Sequence, residues 1–334
     1  GTNGKTTTKE LVAAILSSNY NVLATKGNLN NHIGVPLMLL QITDETEIAI
    51  IEMGANKRGD IKELCDIANP TLGLITNIGT AHIEGFGSAE SLFLTKKELF
   101  DAVIQNKGTI FYSCNQNNFE NIEYKNTITY GSSKDCTIFG NVLQNGFFFH
   151  MNINYNDANI AIKTNLVGNY NFENVLAAFS IGHFFNIPPE KAIDAISNYY
   201  PDNNRSQFLE TPHNQIIADA YNANPSSMKV AISNFALLST TKQKVLILGD
   251  MLELGKISKA EHQNLINELE KSDFETIFLV GNSFFSTKTN KIQFQKFKTT
   301  TELKTHLSAN PLKNKLILLK GSRGIALEKI IEVL

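Results

Sequence analysis

One segment constrains the fold of this chain more strongly than any other: the first seven residues, Gly1-Thr2-Asn3-Gly4-Lys5-Thr6-Thr7. Gly4-Lys5-Thr6 matches the end of the phosphate-binding pattern GxxxxGK[ST], and the apolar residues from Leu11 to Leu16 predict a helix directly after it. In this pattern glycines let backbone N–H groups approach phosphate oxygens, the lysine neutralises the β- and γ-phosphates, and the hydroxyl binds Mg²⁺. The segment therefore predicts a nucleotide-binding loop at the start of a helix, with a solvated turn as the alternative.

The first glycine of this pattern, and the strand that should lead into the loop, are expected before Gly1, so residue 1 is interpreted as a cut. The length of 334 residues predicts two domains. With 30 Lys+Arg against 32 Asp+Glu, the net charge of −2 argues against binding of nucleic acid, which needs a basic field. Because no apolar run approaches the roughly 20 residues that cross a bilayer, no membrane span is expected.

The three cysteines, Cys65, Cys114 and Cys136, are odd in number and lack CxxC spacing. This pattern favours reduced thiols in a cytosolic protein over a disulfide framework or a zinc site.

Polar residues follow two predicted buried strands. The apolar run from Ile48 to Ile51 leads into Glu52, and the run from Leu72 to Thr76 leads to His82. Because the carboxyl ends of parallel strands meet at the ligand-binding edge of an α/β sheet, Glu52 and His82 are candidate metal ligands beside the phosphate loop. A solvated acid and a packed histidine are the alternatives. A helix reaching Ile104 contains Lys96-Lys97-Glu98, which spacing alone assigns to a solvated face.

The remaining chain alternates strands and helices. Before residue 205, strands are predicted at residues 108–113, 127–130, 137–143 and 147–153, with helices at 171–185 and 189–198. The last two of these strands join through Gln144-Asn145-Gly146, a hairpin signal, and residues 200–204 form a hinge. A second series has strands at residues 215–219, 244–248, 276–280 and 316–319 and ends in a helix at 324–333. The predicted class is α/β: a phosphate-loop domain (1–206) with a mostly parallel sheet and a small β-hairpin region, then a Rossmann-like domain (207–334).

In this order the motifs resemble those of the Mur ligases, the ATP-dependent amino-acid ligases of peptidoglycan synthesis. The features general to that family are Gly1-Thr2-Asn3-Gly4-Lys5-Thr6-Thr7, Glu52-Met53-Gly54, Thr76-Asn77-Ile78-Gly79 with His82, and Asn171 with Asn174. Other motifs are similar to those of the members that add D-alanyl-D-alanine to UDP-N-acetylmuramoyl-tripeptide. These are Gly27-Asn28-Leu29-Asn30-Asn31 with Gly34-Val35-Pro36, Asp219-Ala220-Tyr221-Asn222-Ala223-Asn224-Pro225, Leu248-Gly249-Asp250-Met251-Leu252-Glu253-Leu254-Gly255 and Lys320-Gly321-Ser322-Arg323.

The resemblance implies a catalytic set of Lys5, Glu52, His82 and Lys96. Lys5 would neutralise the β- and γ-phosphates, Thr6 with Glu52 would bind one Mg²⁺, and His82 would help to bind a second. The family's carbamylated lysine falls on Lys96, where addition of CO₂ to a neutral amine would turn a cation into an anionic metal ligand.

The resemblance also implies ATP contacts along Gly1, Thr2, Asn3, Gly4, Lys5, Thr6 and Thr7. Asn171 and Asn174 would lie on the adenine side, Arg205 would reach the phosphates, and Asp219 the ribose or phosphates. An N-cap role for the asparagines and simple exposure of the linker arginine are the alternatives. The implied substrate-binding residues are Asn28, Asn31, Tyr221, Asn222 and Asn224.

The implied reaction forms an amide through an acyl phosphate, with ATP and two Mg²⁺ ions, in a cytoplasmic monomer. Relatives of this kind carry a further N-terminal domain for the UDP part of the substrate, which is expected to be absent here. The alternatives are another Mur or folylpolyglutamate-type ligase and an inactive nucleotide-binding module. The third residue of the peptide substrate is left open by the sequence.

Overall fold

The computed structural model describes residues 1–334 apart from residues 80–85, 121, 144–146 and 156–157. The chain divides into two compact units. Unit 1 comprises Gly1–Asn145, Phe149–Thr164 and Asn169–Tyr199, and unit 2 comprises Gly146–Phe148, Asn165–Gly168 and Tyr200–Leu334. The predicted boundary between residues 206 and 207 stays a prediction. None of the helices in the described ranges has the length and apolar character that crossing a bilayer requires.

Unit 1 combines helices with two sheets. Its α-helices are α1 (Lys5–Leu16), α2 (Gly34–Leu39), α3 (Asp60–Ala68), α4 (Ala89–Gln105), α5 (Phe172–Phe184) and α6 (Pro189–Ser197). Its strands are β1 (Val22–Ala24), β2 (Ile48–Ile50), β3 (Leu72–Ile75), β4 (Thr109–Ser113), β5 (Thr127–Gly131), β6 (Ile138–Leu143), β7 (His150–Tyr155) and β8 (Ala158–Lys163). Strands β1 and β2 form a parallel pair, and the larger sheet has the order β3-β4-β5-β6-β7-β8.

The larger sheet is parallel from β3 to β6 and antiparallel from β6 to β8. The predicted mostly parallel sheet of this domain is confirmed, and the predicted β-hairpin region is the antiparallel part of the same sheet. Leu143 pairs with His150 across β6 and β7, but the predicted hairpin turn at residues 144–146 lies outside the described residues. Strand β8 was not predicted, because Ala158–Lys163 buries only one of its six side chains and lacks an apolar run.

Helix α1 begins within the phosphate loop, the name used here for Gly1–Thr7. It buries Leu11, Val12, Ile15 and Leu16, the spacing of one helix face, and it packs against α5 and α6. Its N-cap is Gly4, whose φ of 79° lies in the left-handed region that favours glycine. The chain thus changes from loop to helix at the glycine that precedes Lys5 and Thr6 of the phosphate-binding pattern.

A cavity of about 500 Å³ lies between β2 and β3. Apolar residues of both strands line it, together with Gly1, Lys5, Glu52 and Lys96. Strand β2 was predicted to be buried on both faces, and this is wrong, since its residues are half-buried or exposed. The reason is that β2 pairs with β1 on one side and borders the cavity on the other.

Unit 2 is built on one sheet with the order β13-β12-β11-β14-β10-β9. Its strands are β9 (Gln207–Glu210), β10 (Gln215–Asp219), β11 (Gln243–Gly249), β12 (Thr276–Val280), β13 (Phe294–Phe297) and β14 (Lys315–Lys320). Its α-helices are α7 (Pro225–Leu237), α8 (Ser258–Leu269), α9 (Asn282–Phe285) and α10 (Thr300–Ala309). All strands are parallel except β9, which pairs antiparallel with β10 at the edge.

Apolar residues cover both faces of this sheet. In β11, Leu246 and Leu248 belong to one core cluster, whereas Val245 and Ile247 belong to another. Because side chains alternate along a strand, helices must cover both faces, as the predicted Rossmann-like α/β class requires. The sheet edge is set by register: Lys320 pairs with Asp219 and with Leu248, so the carboxyl ends of β10, β11 and β14 lie together.

The structure of unit 2 differs from the prediction at its edge strands and at its C-terminal helix. The edge strands β9 and β13 were missed, because Gln207–Glu210 and Phe294–Phe297 are half-buried and mix apolar with polar residues. The last predicted helix is 3-10 helix instead, at Arg323–Ile325 and Leu327–Val333.

The prediction that the cysteines are reduced thiols is wrong for two of them. Cys114 and Cys136 form a disulfide with a Cα–Cα distance of 6.1 Å, and Cys65 is free and buried. The two residues are 22 positions apart and meet because β4, β5 and β6 are neighbours in the sheet, which cysteine spacing alone does not reveal.

Candidate active site

The phosphate loop is attached to the residues that follow β3. Asn77 Oδ1 accepts a hydrogen bond from the Asn3 amide at 2.9 Å, and Asn77 Nδ2 donates to the Asn3 carbonyl at 2.9 Å. The Thr76 hydroxyl donates to the same carbonyl at 2.7 Å, and the Thr2 amide donates to the Asn77 carbonyl at 2.8 Å. One side of the loop is therefore held at the carboxyl end of a parallel strand, the edge at which α/β sheets bind ligands.

Asn174 holds the other side of the loop. Its Oδ1 accepts a hydrogen bond from the Thr8 hydroxyl at 3.1 Å, and its Nδ2 donates to Asn171 Oδ1 at 3.0 Å. A Cβ atom at Gly4 would lie 2.4 Å from Asn174 Oδ1, so this position requires glycine for close packing as well as for its φ. Asn171 occupies the N-cap of α5 without a side-chain cap bond. The asparagines pack against the phosphate loop, and their contact with adenine stays a prediction.

Glu52 faces Thr6 at the start of α1. The Thr6 hydroxyl donates to Glu52 Oε2 at 2.9 Å, and Asn30 Nδ2 donates to Glu52 Oε1 at 2.8 Å. The Thr25 hydroxyl accepts from the Glu52 amide at 2.9 Å. The carboxylate is 7 % exposed, so these contacts fix its direction. Sequence reasoning singled out Thr6 and Glu52 but missed Asn30 and Thr25, whose roles depend on the pairing of β1 with β2.

These oxygen atoms fit a magnesium ion. Mg²⁺ prefers carboxylate and hydroxyl oxygens and usually keeps several waters and substrate phosphates as its other ligands. Within the described part of the chain no three His, Cys, Asp or Glu residues cluster as a complete protein cage would need. A site with Thr6 and Glu52 as its protein ligands is therefore of the kind that magnesium shares with a nucleotide.

Lys5 and Lys96 line the same cavity as Glu52. Lys5 Nζ donates to the carbonyls of Gly1 and Thr2 at 2.9 and 3.0 Å. Lys96 on α4 is 6 % exposed, and its Nζ lies 5.6 Å from the centre of the Phe86 ring. Burial, together with the positive charge of Lys5, lowers the pKa of the Lys96 ammonium from 10.5 to about 8. Lys96 thus has a reactive neutral fraction near neutral pH.

The neighbours of Lys96 have different roles. Glu98 accepts from the amides of Gly59 and Lys62, both at 2.9 Å, and so fastens α4 to the start of α3. Lys97 pairs with Asp101 one turn later and is one-third exposed. The spacing-based interpretation as a solvated face therefore applies to Lys97 but not to the buried Lys96.

The predicted substrate residues of unit 1 lie in the loop before α2. Asn31 Oδ1 accepts from the amides of Ile33 and Gly34 at 3.1 and 2.8 Å, which stabilises the turn into that helix. Asn28 is exposed. His82, predicted as a catalytic residue and metal ligand, lies outside the described residues.

Unit 2 gathers charged residues at the carboxyl ends of its strands. Lys320 Nζ bonds to Asp219 Oδ2 at 2.6 Å and to the Asn222 carbonyl at 3.4 Å, and Lys320 is 2 % exposed. Asp219 was predicted as an ATP ligand, whereas its partner Lys320 was not. The pair holds the Asp219 carboxylate at the strand end.

Arg205, which was predicted to reach the phosphates of ATP, lies over the ring of Tyr221. The guanidinium of Arg205 lies 3.8 Å from the centre of the Tyr221 ring, and that of Arg323 lies 5.3 Å from it. Arg205 Nε is buried and has no hydrogen-bond partner among the described residues. Arg205, Asp219, Tyr221 and Asn222 therefore belong to one cluster within unit 2.

Asn224 and Asp250 stabilise backbone. Asn224 Oδ1 accepts from the Ser227 amide at 2.8 Å in a capping box at the start of α7. Asp250 accepts from the amides of Ser283 and Phe284, both at 2.8 Å, at the start of α9. The substrate role of Asn224 stays a prediction.

Two family models match this chain. The Mur ligase middle domain matches residues 1–182, and the model described as "Mur ligase, glutamate ligase domain" matches residues 204–323. The phosphate loop, Glu52 and Lys96 fall in the first match, and Arg205, Asp219 and Lys320 in the second. The chain belongs to the Mur ligase family.

Among the relatives, similarity is strong to ligases of one kind. The chain is 36% identical over 341 residues to the UDP-N-acetylmuramoyl-tripeptide--D-alanyl-D-alanine ligase of Bacillus subtilis (strain 168), covering 99% of this chain and 74% of that protein. It is 31% identical over 348 residues to the ligase of the same name from Escherichia coli (strain K12), covering 100% and 75%. A crystal structure of MurF from Acinetobacter baumannii matches with a TM-score of 0.88 and 27% identity, covering 99% of this chain and 74% of that one. The MurF ligase of Thermotoga maritima in complex with ADP matches with a TM-score of 0.86 and 25% identity, covering 100% and 77%.

Replacement of Gly4 by alanine tests the packing of the phosphate loop. Gly4→Ala brings a Cβ to 2.4 Å from Asn174 Oδ1 and puts an alanine at a left-handed φ. The loop must shift, so we expect the dissociation constant for ADP with Mg²⁺, measured by calorimetry, to rise at least about tenfold. Gly59→Ala is the control, because Gly59 also has a positive φ (90°) but open space around a Cβ. Equal ADP affinity in the two variants would contradict the proposed packing.

Replacement of Lys96 tests the cost of its burial. Below pH 8 the folded and unfolded chains both hold the Lys96 proton, so the folded protein bears the full cost of a buried ammonium. Between pH 8 and 10.5 only the unfolded chain still holds it, so this cost falls as pH rises. In CO₂-free buffer we expect Lys96→Met to raise the free energy of unfolding at pH 7 by about 3 kcal/mol, with a gain that shrinks towards pH 10.5. Lys97→Met is the control, with an expected change within about 0.5 kcal/mol. A loss of stability in Lys96→Met at pH 7 would be the contrary result.

Proposed function

We propose that this protein catalyses the ATP-dependent joining of D-alanyl-D-alanine to UDP-N-acetylmuramoyl-tripeptide. The observation that carries the proposal is the contact of the Thr6 hydroxyl with Glu52 beside Lys5 in a phosphate loop, in a chain of the Mur ligase family. The substrates are those named for the relatives that match almost the whole chain. The buried positions of Glu52 and Lys96 support an active enzyme, because an inactive binding module has no use for a buried charge of this kind.

The proposed reaction has two steps. The terminal carboxylate of the tripeptide attacks the γ-phosphorus of ATP, which forms an acyl phosphate and releases ADP. The amine of D-alanyl-D-alanine then attacks the acyl carbon, the C–O bond to phosphate breaks, and the amine proton is lost as the amide forms. Lys5 stabilises the charge that develops on the β- and γ-phosphates, and the fixed loop positions them for attack. Magnesium, when bound by Thr6 and Glu52, neutralises phosphate charge, and His82 is proposed to contribute to a second ion.

We propose that Lys96 is carbamylated. A neutral amine adds CO₂ with loss of one proton to give a carbamate whose two oxygens share one negative charge, and the pKa of about 8 gives Lys96 the neutral fraction that this requires. The new negative charge would replace the repulsion between Lys96 and Lys5 by attraction. A carbamate at this position would also add oxygen ligands of the type that Mg²⁺ prefers.

The ATP and substrate contacts in unit 2 are proposals as well. Support for Arg205 as a phosphate ligand comes from its buried Nε, which has no protein partner among the described residues. Asp219, oriented by Lys320, is proposed to contact the ribose or phosphates. Tyr221, Asn222 and Asn224 are proposed to face the dipeptide, and Asn28 and Asn31 the peptide substrate. We further propose that the enzyme acts as a monomer in the cytoplasm, where ATP and a UDP-linked substrate are supplied.

Phosphate release tests the proposed function. Purified protein is supplied with ATP, Mg²⁺, UDP-N-acetylmuramoyl-tripeptide and D-alanyl-D-alanine, and each component is omitted in turn. We expect phosphate release only with the complete mixture, because the acyl phosphate turns over when the dipeptide amine attacks it. L-Glutamate replaces the dipeptide as the control for the identity of the attacking amine. Release that does not depend on the dipeptide would contradict the proposal.

Labelled CO₂ tests the carbamate. We expect a carbamate carbon signal in ¹³C spectra of the protein under ¹³CO₂, growing from pH 7 to 9 at fixed CO₂ pressure as Lys96 loses its proton. Lys96→Ala should lack the signal and lose nearly all turnover, with partial recovery in acetate or formate, whose carboxylates replace the missing oxygens. Lys97→Ala is the control and should keep the signal. A wild-type spectrum that matches Lys96→Ala would refute carbamylation.

A further inference from the structure

The disulfide between Cys114 and Cys136 joins the segment after β4 to the segment before β6. Cys114 directly follows β4 and is half-buried, whereas Cys136 lies two residues before β6 and is 5 % exposed. Strand β5 runs between them, and the Cys114 amide donates to the Tyr130 carbonyl at 2.8 Å. The Cα–Cα distance of 6.1 Å is within the ordinary range for a disulfide, so the backbone brings the two sulfurs within bonding reach. Neither cysteine takes part in the proposed chemistry.

The residue after Cys114 contacts the residue that precedes Asn174. Asn115 Nδ2 donates to Glu173 Oε1 at 3.1 Å, and the Ser113 hydroxyl donates to the same oxygen at 2.9 Å. Glu173 lies in the first turn of α5 and directly precedes Asn174, which packs against Gly4 and accepts from Thr8. A movement of the Cys114 segment therefore changes the support of Asn174 under the loop.

The next residue, Gln116, bonds to the backbone on both sides of Asn77. Gln116 Nε2 donates to the Thr76 carbonyl at 2.9 Å, and Gln116 Oε1 accepts from the Ile78 amide at 3.1 Å. Asn77 lies between Thr76 and Ile78 in the sequence. Its side chain accepts a hydrogen bond from the Asn3 amide and donates one to the Asn3 carbonyl. Ser113–Gln116 is thus hydrogen-bonded to the residues next to both asparagines: to Glu173 beside Asn174, and to Thr76 and Ile78 on either side of Asn77.

We propose that Cys114 and Cys136 are a reversible dithiol–disulfide pair, and that their redox state sets the affinity of the phosphate loop for nucleotide. The second half of this proposal rests on the proposed nucleotide-binding function, and the first half does not. The disulfide ties Cys114 to the start of β6 and so restricts Ser113–Gln116 in the position that supports both asparagines. Restriction of a binding site in its bound form raises affinity, so the oxidised protein binds nucleotide more tightly.

Glutathione disulfide serves as the oxidant. The Cys114 thiolate attacks one of its sulfurs, which forms a mixed disulfide and releases one glutathione thiolate. The Cys136 thiolate then attacks the Cys114 sulfur and releases the second. Two protein thiols lose two protons and two electrons, and one glutathione disulfide becomes two glutathiones. Cys65 stays out of this exchange, because burial raises the pKa of its thiol to about 12 and leaves almost no thiolate.

The experiment combines a thiol readout with a nucleotide readout on the whole chain. The protein is equilibrated with reduced glutathione or with glutathione disulfide, free thiols are alkylated in denaturant, and the product is weighed by mass spectrometry. We expect three alkylated cysteines in the reduced sample and one in the oxidised sample, with full return on adding reduced glutathione. Cys65→Ser is the matched control and should still lose two alkylations on oxidation, whereas Cys114→Ser should lose none. A bond that persists in excess reduced glutathione, or one that never forms, would overturn the pair.

The same samples are titrated with ADP and Mg²⁺ by calorimetry. We expect the oxidised wild type and the oxidised Cys65→Ser variant to bind about fivefold more tightly than their reduced forms. Cys114→Ser should have one affinity in both buffers. Equal affinity of the two wild-type states would overturn the coupling. Absence of ADP binding in both states would contradict the proposed function, while the alkylation pattern would still report on the cysteine pair.

Discussion

Two asparagines fix the phosphate loop on which the site in unit 1 depends, Asn77 by hydrogen bonds and Asn174 by close packing against Gly4. Asn77 satisfies both the amide and the carbonyl of Asn3, which an amide side chain can do because it has a donor and an acceptor. Asn174 fills the space that a side chain at Gly4 would take. Since Asn77 follows β3 and Asn174 belongs to α5, the loop is positioned by two elements far apart in sequence. Glu52 can then meet Thr6, and α1 can begin at Lys5.

The charges around this loop explain why burial matters to the proposed chemistry. Lys5, Lys96 and Glu52 line one cavity, so each charge is partly removed from water. For Lys96 the result is a lowered pKa, which is costly for the folded protein and would favour the proposed attack of the neutral amine on CO₂. Glu52 avoids a similar cost through Asn30 and Thr6, which donate to its two oxygens. Burial of Lys96 thus lowers stability and would favour its proposed reaction, whereas Glu52 is fixed by hydrogen bonds.

Much of the fold was predictable from the sequence. The apolar runs of Gln215–Asp219 and Thr276–Val280 gave strands with the observed bounds, because fully buried strands have a clear pattern. The edge strands β9 and β13 were not predicted, because a half-buried edge strand does not need a continuous apolar run. Glu52 and Thr6 were predicted correctly as neighbours, because both belong to recognisable motifs at one sheet edge. Asn30 was not chosen from its motif, and the Cys114–Cys136 bond was excluded, because both contacts depend on which strands become neighbours.

The central claim is that the peptide carboxylate is converted to an acyl phosphate before the amide forms, so that one of its oxygens is transferred to phosphate. The most direct measurement uses tripeptide substrate with ¹⁸O in its terminal carboxylate and determines the isotopic mass of the released phosphate. Attack of this carboxylate on ATP places its oxygen on phosphorus, and the later C–O cleavage leaves it there. The account predicts one ¹⁸O atom in each phosphate released. Unlabelled phosphate, formed together with the amide product, would contradict it.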